Sequence, residues 1–257
     1  MKRQMLSIQE YLLTPVEIEK ELRYVFAKTP PSVIMDIGSC TGEDAIKYKN
    51  LFPSAFVIAF EPLVENIAVM KKHFQMFGKD IKIENFALSD TNGVSDFFIS
   101  GGNPCEEAQE HEFTSLMPKE WNKSSSLLPP SNESRKLMPW LKFDKKRTVK
   151  TVKLETYMKE ENIQQIDFMH LDVQGAELKV LKGMGAMISR LKVLWLEVEN
   201  VELYEHQPLK KDLNDFLNIN NFQLVKDTSK DKITGDCLYI NKSQLSPFKR
   251  LFVANFL

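Results

Sequence analysis

The chain has 257 residues, 43 % of them hydrophobic and 27 % charged, and a formal net charge of -1. That fits one large α/β domain, or one domain with a substantial insertion, and the balance is that of an ordinary soluble globular protein. The near-zero charge speaks against a general nucleic-acid binder, which needs an excess of Lys and Arg on one face.

The first residues, MKRQMLSIQEYLL, hold a short apolar group broken by Gln9 and Glu10, so they do not read as a signal peptide. No apolar run approaches the roughly 18 residues of a membrane span. Residues 15 to 28 suit a helix that opens at Pro15 and stops before Pro30 and Pro31, and residues 1 to 32 read as a helical N-terminal segment. From residue 33 to 257 the pattern is that of one catalytic-type α/β domain. SVIMDI and FVIAFE are continuously apolar, as strands buried on both faces are. Helices are expected over 42 to 51 and 63 to 78, and a third strand over 81 to 88.

This alternation predicts a parallel sheet with right-handed crossovers. An added strand is expected at 94 to 100. Residues 101 to 146 then lose periodicity and collect glycines and prolines, with Phe113, Trp121, Trp140 and Phe143 scattered among them. Aromatics favour a region that packs on something, so the stretch reads as a lid or acceptor-binding insertion. Lys142, Lys145, Lys146, Arg147, Lys150 and Lys153 form a basic run, either a solvated face or a contact for a phosphate-rich acceptor. Alternation resumes at 147, with strands at 166 to 173 and 192 to 199, helices at 176 to 188 and 209 to 220, and a closing antiparallel pair at 222 to 227 and 236 to 242. Cys40, Cys105 and Cys237 are odd in number and lack metal-site spacing, so a reduced, cytoplasmic protein is expected.

Two stretches carry chemistry. In DIGSCTG, Gly38 and Gly42 flank Ser39 and Cys40, and Asp36 stands two residues ahead of the first glycine. In a doubly wound sheet such a loop meets its ligand at the carboxyl ends of the strands. A carboxylate there would repel a pyrophosphate and suits an ammonium or sulfonium. Glu61, followed by Pro62, ends the second strand, where an acid can accept both hydroxyls of a ribose. Ala87, Leu88 and Ser89 end the third, beside an adenine. Asp36 with Glu61 is the pattern expected for S-adenosylmethionine, and a plain tight turn is the other reading of the glycines alone. The second stretch, HLDVQGAELKVLKG, has Asp172 ending a strand, Gly175 in the turn and Glu177 opening a helix.

Together these stretches resemble the FkbM-type S-adenosylmethionine-dependent methyltransferases. The resemblance rests on DIGSCTG, on Glu61-Pro62, on VKLETY at 152 to 157 and on the second stretch at 170 to 183, and covers about residues 33 to 200. It implies a class I methyltransferase fold, Rossmann-like, with a mostly parallel seven-stranded sheet whose last strand is antiparallel. It also implies methyl transfer to a hydroxyl, commonly of a sugar or natural product. The chain departs from the family pattern at Ser39 and Cys40, where Ala-Asn is usual, and at Glu155, His170 and Gln174, which replace Asp, Lys and Glu. Asp172 and His170 are the candidates for receiving the hydroxyl proton, with a buried His held by a carboxylate as the other role of His170. Glu197 and Glu199 could join Asp172 around a divalent cation, although the favoured reading is that they hydrogen-bond the substrate or are simply surface acids. An RNA methyltransferase and a binding protein that keeps the cofactor fold without chemistry are the alternatives.

Overall fold

The computed structural model describes residues 7–102 and 122–245. In chain order its first elements are α1 (Ile8–Leu13), α2 (Glu19–Val25), β1 (Val33–Ile37), α3 (Glu43–Leu51), β2 (Phe56–Phe60) and α4 (Val64–Met76). Then come β3 (Lys82–Glu84), β4 (Ala87–Ser89), β5 (Gly93–Gly101), α5 (Asn132–Leu137), β6 (Lys142–Lys153) and α6 (Leu154–Glu160). The chain continues through β7 (Ile166–Leu171), α7 (Glu177–Gly183), β8 (Leu191–Glu199), α8 (Lys210–Ile219), β9 (Phe222–Asp227) and β10 (Thr234–Asn241).

Seven strands form the main sheet in the order β3-β2-β1-β7-β8-β10-β9. The pairs among β3, β2, β1, β7 and β8 are parallel, and β10 runs antiparallel to both of its neighbours. This is the class I methyltransferase arrangement. Strand order reverses between β1 and β7, so a crevice opens beyond their carboxyl ends.

Both faces of the sheet are covered, which is why its strands read as unbroken apolar runs. Met35, Phe60, Met169 and Leu194 pack against α6, α7 and α8 on one side. Ile34, Val57, Phe168 and Val193 pack against α2, α3 and α4 on the other. Asp36 and His170 are neighbours across β1 and β7, in the row of this second face.

The structure corrects four expectations. The first helix is shorter than 15 to 28 and occupies only Glu19–Val25. The helix expected over 176 to 188 ends at Gly183 and gives way to a 3-10 turn over Gly185–Arg190. The third strand divides: β3 pairs with β2, whereas β4 pairs with β6 in a second sheet of order β4-β6-β5. Asn85 sits at the division and its side-chain amide donates to the carbonyls of Glu61 (3.1 Å) and Pro62 (3.0 Å), which turns the chain at the cleft. Finally, the stretch 101 to 146 is not aperiodic throughout, because it contains α5 and the start of β6, which pairs antiparallel with β5. The first half of β6, KFDKKR, is mostly exposed, so it shows no apolar alternation and is held by its pairing alone. Residues 103–121, with Phe113 and Trp121, lie outside the described residues. No helix among the described residues is long and apolar enough to cross a membrane.

Candidate active site

The loop after β1 passes through left-handed backbone at three residues, Gly38 (φ +85), Cys40 (φ 48) and Gly42 (φ +83). The Gly38 and Ser39 N–H groups donate to the Phe60 carbonyl at 3.1 and 3.0 Å, which holds the loop against the end of β2. A Cβ on Gly38 would lie 1.7 Å from the Asp172 carbonyl oxygen. The two chemistry-bearing stretches therefore meet backbone to backbone, and only glycine permits that approach.

A cleft opens where these ends converge. It is lined by Gly38 and Cys40 from the loop, Glu61 and Pro62 after β2, Ala87 and Leu88 of β4, and Asp172 to Gln174 after β7. Phe60, Phe86 and Phe97 supply apolar walls, and the run 122–127 closes one side. That run is tied down by Asn122, whose amide donates to Asn66 Oδ1 at 2.5 Å, and by Lys123, which lies 3.3 Å from Glu43.

Glu61 is buried. Its Oε1 accepts the Leu63 N–H at 2.8 Å and its Oε2 the Cys40 N–H at 3.0 Å. Burial pushes its carboxyl up to about 8 despite these donors.

Asp36 is 1 % exposed and sits beneath the loop rather than in the cleft wall. Its Oδ1 meets His170 Nδ1 at 2.9 Å, and its Oδ2 has no partner. Burial alone would lower the His170 pKa, but the hydrogen bond and charge of Asp36 prevail and raise it to about 9. The pairing with the loop's acid thus favours the imidazolium form of His170.

Behind Asp172 lies a buried acidic group. Glu177 Oε1 accepts the N–H groups of Val173 and Gly175, both at 3.1 Å, and so folds the turn between β7 and α7. Burial pushes its carboxyl up to about 7. Burial and then the Asp172 charge push Glu197 well above the carboxylate range, and burial with Glu177 does the same to Glu199. Gln174 Nε2 stands between Asp172 Oδ1 (2.7 Å) and Glu197 Oε2 (2.6 Å). Among the described residues no group of three or more His, Cys, Asp or Glu side chains is arranged to hold a metal ion.

Of the residues singled out in the sequence, Gly38, Cys40, Glu61, Pro62, Ala87, Leu88 and Asp172 line the cleft. Asp36, Ser39, Gly42, Ser89 and His170 do not. Ser39 donates from its hydroxyl to the Asp36 carbonyl at 2.6 Å, and Ser89 to Asp90 at 3.2 Å. Asn66, Phe97, Asn122, Lys123 and Gln174 were missed as wall residues. Asn66 carried a local signal, as a polar residue within the apolar stripe of α4, and Gln174 carried one as a departure inside the second motif.

A cofactor made of an amino acid, a sulfonium and an adenosine finds matching groups. The unpartnered Asp36 oxygen beneath the loop suits a cation, Glu61 suits vicinal hydroxyls, and Phe86, Ala87 and Leu88 suit a flat base.

The family model described as "Methyltransferase FkbM domain" matches residues 36–224. The 2-O-methyltransferase NoeI of Sinorhizobium fredii is 30 % identical over 212 residues, covering 82 % of this chain and 80 % of that protein. Among solved structures, M. capricolum TrmK in complex with S-adenosyl-homocysteine has a TM-score of 0.42 at 11 % identity, covering 90 % of this chain and 73 % of the other. An rRNA methylase from Streptococcus thermophilus has a TM-score of 0.45 at 10 % identity, covering 93 % and 99 %. At these scores neither structure bears on the acceptor.

Proposed function

The chain belongs to the FkbM methyltransferase family; we propose that this S-adenosylmethionine-dependent enzyme methylates a hydroxyl oxygen of a sugar, glycan or natural-product-like small molecule. The observation that carries the reading is the contact between the Gly38 loop and Asp172, which brings a buried acid at Glu61 and an acid at Asp172 to one cleft. The relative's name, a 2-O-methyltransferase, supports oxygen as the accepting atom.

When bound, S-adenosylmethionine supplies a methyl group on a sulfonium. The residues of this chain do the rest. Glu61 would hold the ribose. Asp36, held by His170, lies under the loop that would bind the amino-acid end. Phe86, Ala87 and Leu88 would flank the base. Asp172 receives the proton of the acceptor hydroxyl and orients that oxygen for in-line attack, where positioning supplies much of the rate. His170 is unsuited to that step, since an imidazolium has no lone pair to offer. Gln174 donates to Asp172 and keeps its carboxylate turned toward the cleft.

A phosphate-rich acceptor is less well served. In the basic run of β6, Lys146 pairs with Asp96 and Arg147 with Glu65, which leaves less positive charge for phosphates. The two described cysteines, Cys40 and Cys237, are free thiols, which supports a cytoplasmic location. The test is transfer of label from S-adenosylmethionine to a panel of glycosides with a single free hydroxyl each. Label on at least one glycoside, lost in Asp172→Asn, is expected; label on RNA and on none of the glycosides would overturn the assignment.

A further inference from the structure

Gln174 is an unusual residue for its place. Its backbone is left-handed (φ 56) although it carries a full side chain. The side-chain amide spends both N–H bonds on carboxylates, one on Asp172 and one on Glu197. Its Oε1 accepts from the Tyr204 hydroxyl at 2.9 Å. Its main-chain carbonyl accepts from the Ser126 hydroxyl at 2.6 Å. Ser126 is fully buried, and the Tyr204 hydroxyl also lies 2.9 Å from the Ser124 carbonyl.

One residue therefore touches both acids on one side and residues 122–131 on the other. That strap is seated by a bridge between Phe98 and Ser126, a bridge between Pro130 and Tyr204, and a bond from Ser131 N–H to the Leu203 carbonyl at 3.0 Å. We propose that Gln174 is a positioning residue that makes the docking of strap 122–131 and the setting of the Asp172–Glu197 pair a single event. This rests on the reading of Asp172 as the group that receives the acceptor's proton.

The physical case has two parts. Two part-buried acids within reach of one another disfavour joint ionisation, and a neutral amide with two N–H bonds can donate to both in only one rotamer and orientation. That orientation is fixed from outside, by Tyr204 on Oε1 and by Ser126 on the carbonyl of a backbone that a side chain rarely adopts. The Tyr204 ring also packs where a Cβ on Gly175 would stand, 2.9 Å away, so the turn has no slack. Undocking the strap removes the Ser126 bond and frees the turn. Gln174 then loses its aim, and the acids lose their common donor. An acceptor that seats the strap thus completes its own proton acceptor.

The test compares wild type with Gln174→Met, which keeps the volume without donors, Gln174→Glu, which adds a third acid, and Ser126→Ala, which touches neither acid. Two readouts are needed. Hydrogen exchange at 122–131 uses the protein alone, and kcat, KM and their pH profile use the glycoside that wild type methylates. Expected are exchange at 122–131 at least tenfold faster in all three variants, kcat at least tenfold lower, and affinity for S-adenosylmethionine by calorimetry within threefold of wild type. In Gln174→Glu the acid limb of the kcat profile moves to higher pH, because the new carboxyl joins Glu177, Glu199, Tyr204 and Asp236 around the pair, faced by the cations His170 and, across the cleft, Lys123. Faster exchange with unchanged kcat, or lower kcat with unchanged exchange, overturns the coupling. So does a fall in kcat matched by an equal loss of cofactor affinity. A wild type that labels no glycoside defeats the proposed function instead, and exchange in Gln174→Met then decides the strap linkage alone.

Discussion

A carboxylate buried as deeply as Glu61 serves a ligand only if the ligand brings donors to it. Two ribose hydroxyls do so, and they favour the ionised form. Glu61→Ala should weaken S-adenosylmethionine binding by about 1–3 kcal/mol, the range for hydrogen bonds to a charged group; calorimetry with unchanged affinity would count against the ribose role. The sign of the pH effect follows from the same bonds. With its carboxyl pushed up to about 8 in the free protein, Glu61 is mostly protonated at pH 6, so cofactor affinity should rise from pH 6 to pH 9 and this rise should vanish in Glu61→Gln. Asp172 and His170 separate by a different measurement. Asp172→Asn should lower turnover by about 10²-fold or more, in the range for positioned acid–base groups, with cofactor affinity far less changed. His170→Gln removes the partner of Asp36 Oδ1, so its main effect should be on cofactor affinity; if it abolishes turnover while Asp172→Asn does not, the proton goes to His170.

Element by element, the main sheet was legible because burial on both faces writes itself as runs such as VIMDI and LKVLWLEVE, which few other structures produce. Part of the cleft lining was legible too, because strand ends in such a sheet carry the ligand groups. The second sheet was not. Its exposed strand β6 lacks alternation, and the division at Asn85 depends on a side-chain bond to a distant strand end, which no local pattern encodes. Nor was the clamp of Gln174 on Glu197, since 23 positions separate them in sequence. The joint between the two sheets gives an element-scale prediction. At Gly183, the last residue of α7, a Cβ would lie 2.1 Å from the Ser89 carbonyl of β4. Gly183→Ala should push α7 off β4 and destabilise the fold by about 1–3 kcal/mol, as overpacking does, and by moving β4 it should also weaken cofactor binding. Urea unfolding with an unchanged midpoint would contradict that close packing.

The molecule as a whole concentrates groups that hold protons more tightly when folded. Burial pushes Glu61 up to about 8, Glu177 to about 7 and Asp236 to about 6, and the Asp36 pair raises His170 to about 9. Each of these pKa values is above that of the free side chain, so the folded state binds more protons than the unfolded state between the two values. Stability must then fall as pH rises through that window, at about 1.4 kcal/mol per pH unit for each proton held in excess. For the three acids the loss begins above the ordinary carboxylate range, near 4 to 5, and is complete above their folded values. For His170 the favourable pairing is fully present below about 6.5 and is lost through about 9. Asp227, lowered to about 2 by its bonds to Lys210 and Ser229 in spite of burial, acts in the opposite sense, but only in acid. The unliganded protein should therefore melt at a higher temperature at pH 5.5 than at pH 8.5, and calorimetric scans showing the reverse order would mean that these carboxyls are ionised in the fold. S-adenosylmethionine should narrow the gap, because its hydroxyl donors stabilise the ionised form of Glu61. The stabilisation it confers should accordingly be larger at pH 8.5 than at pH 5.5, and in Glu61→Gln the two should be more nearly equal.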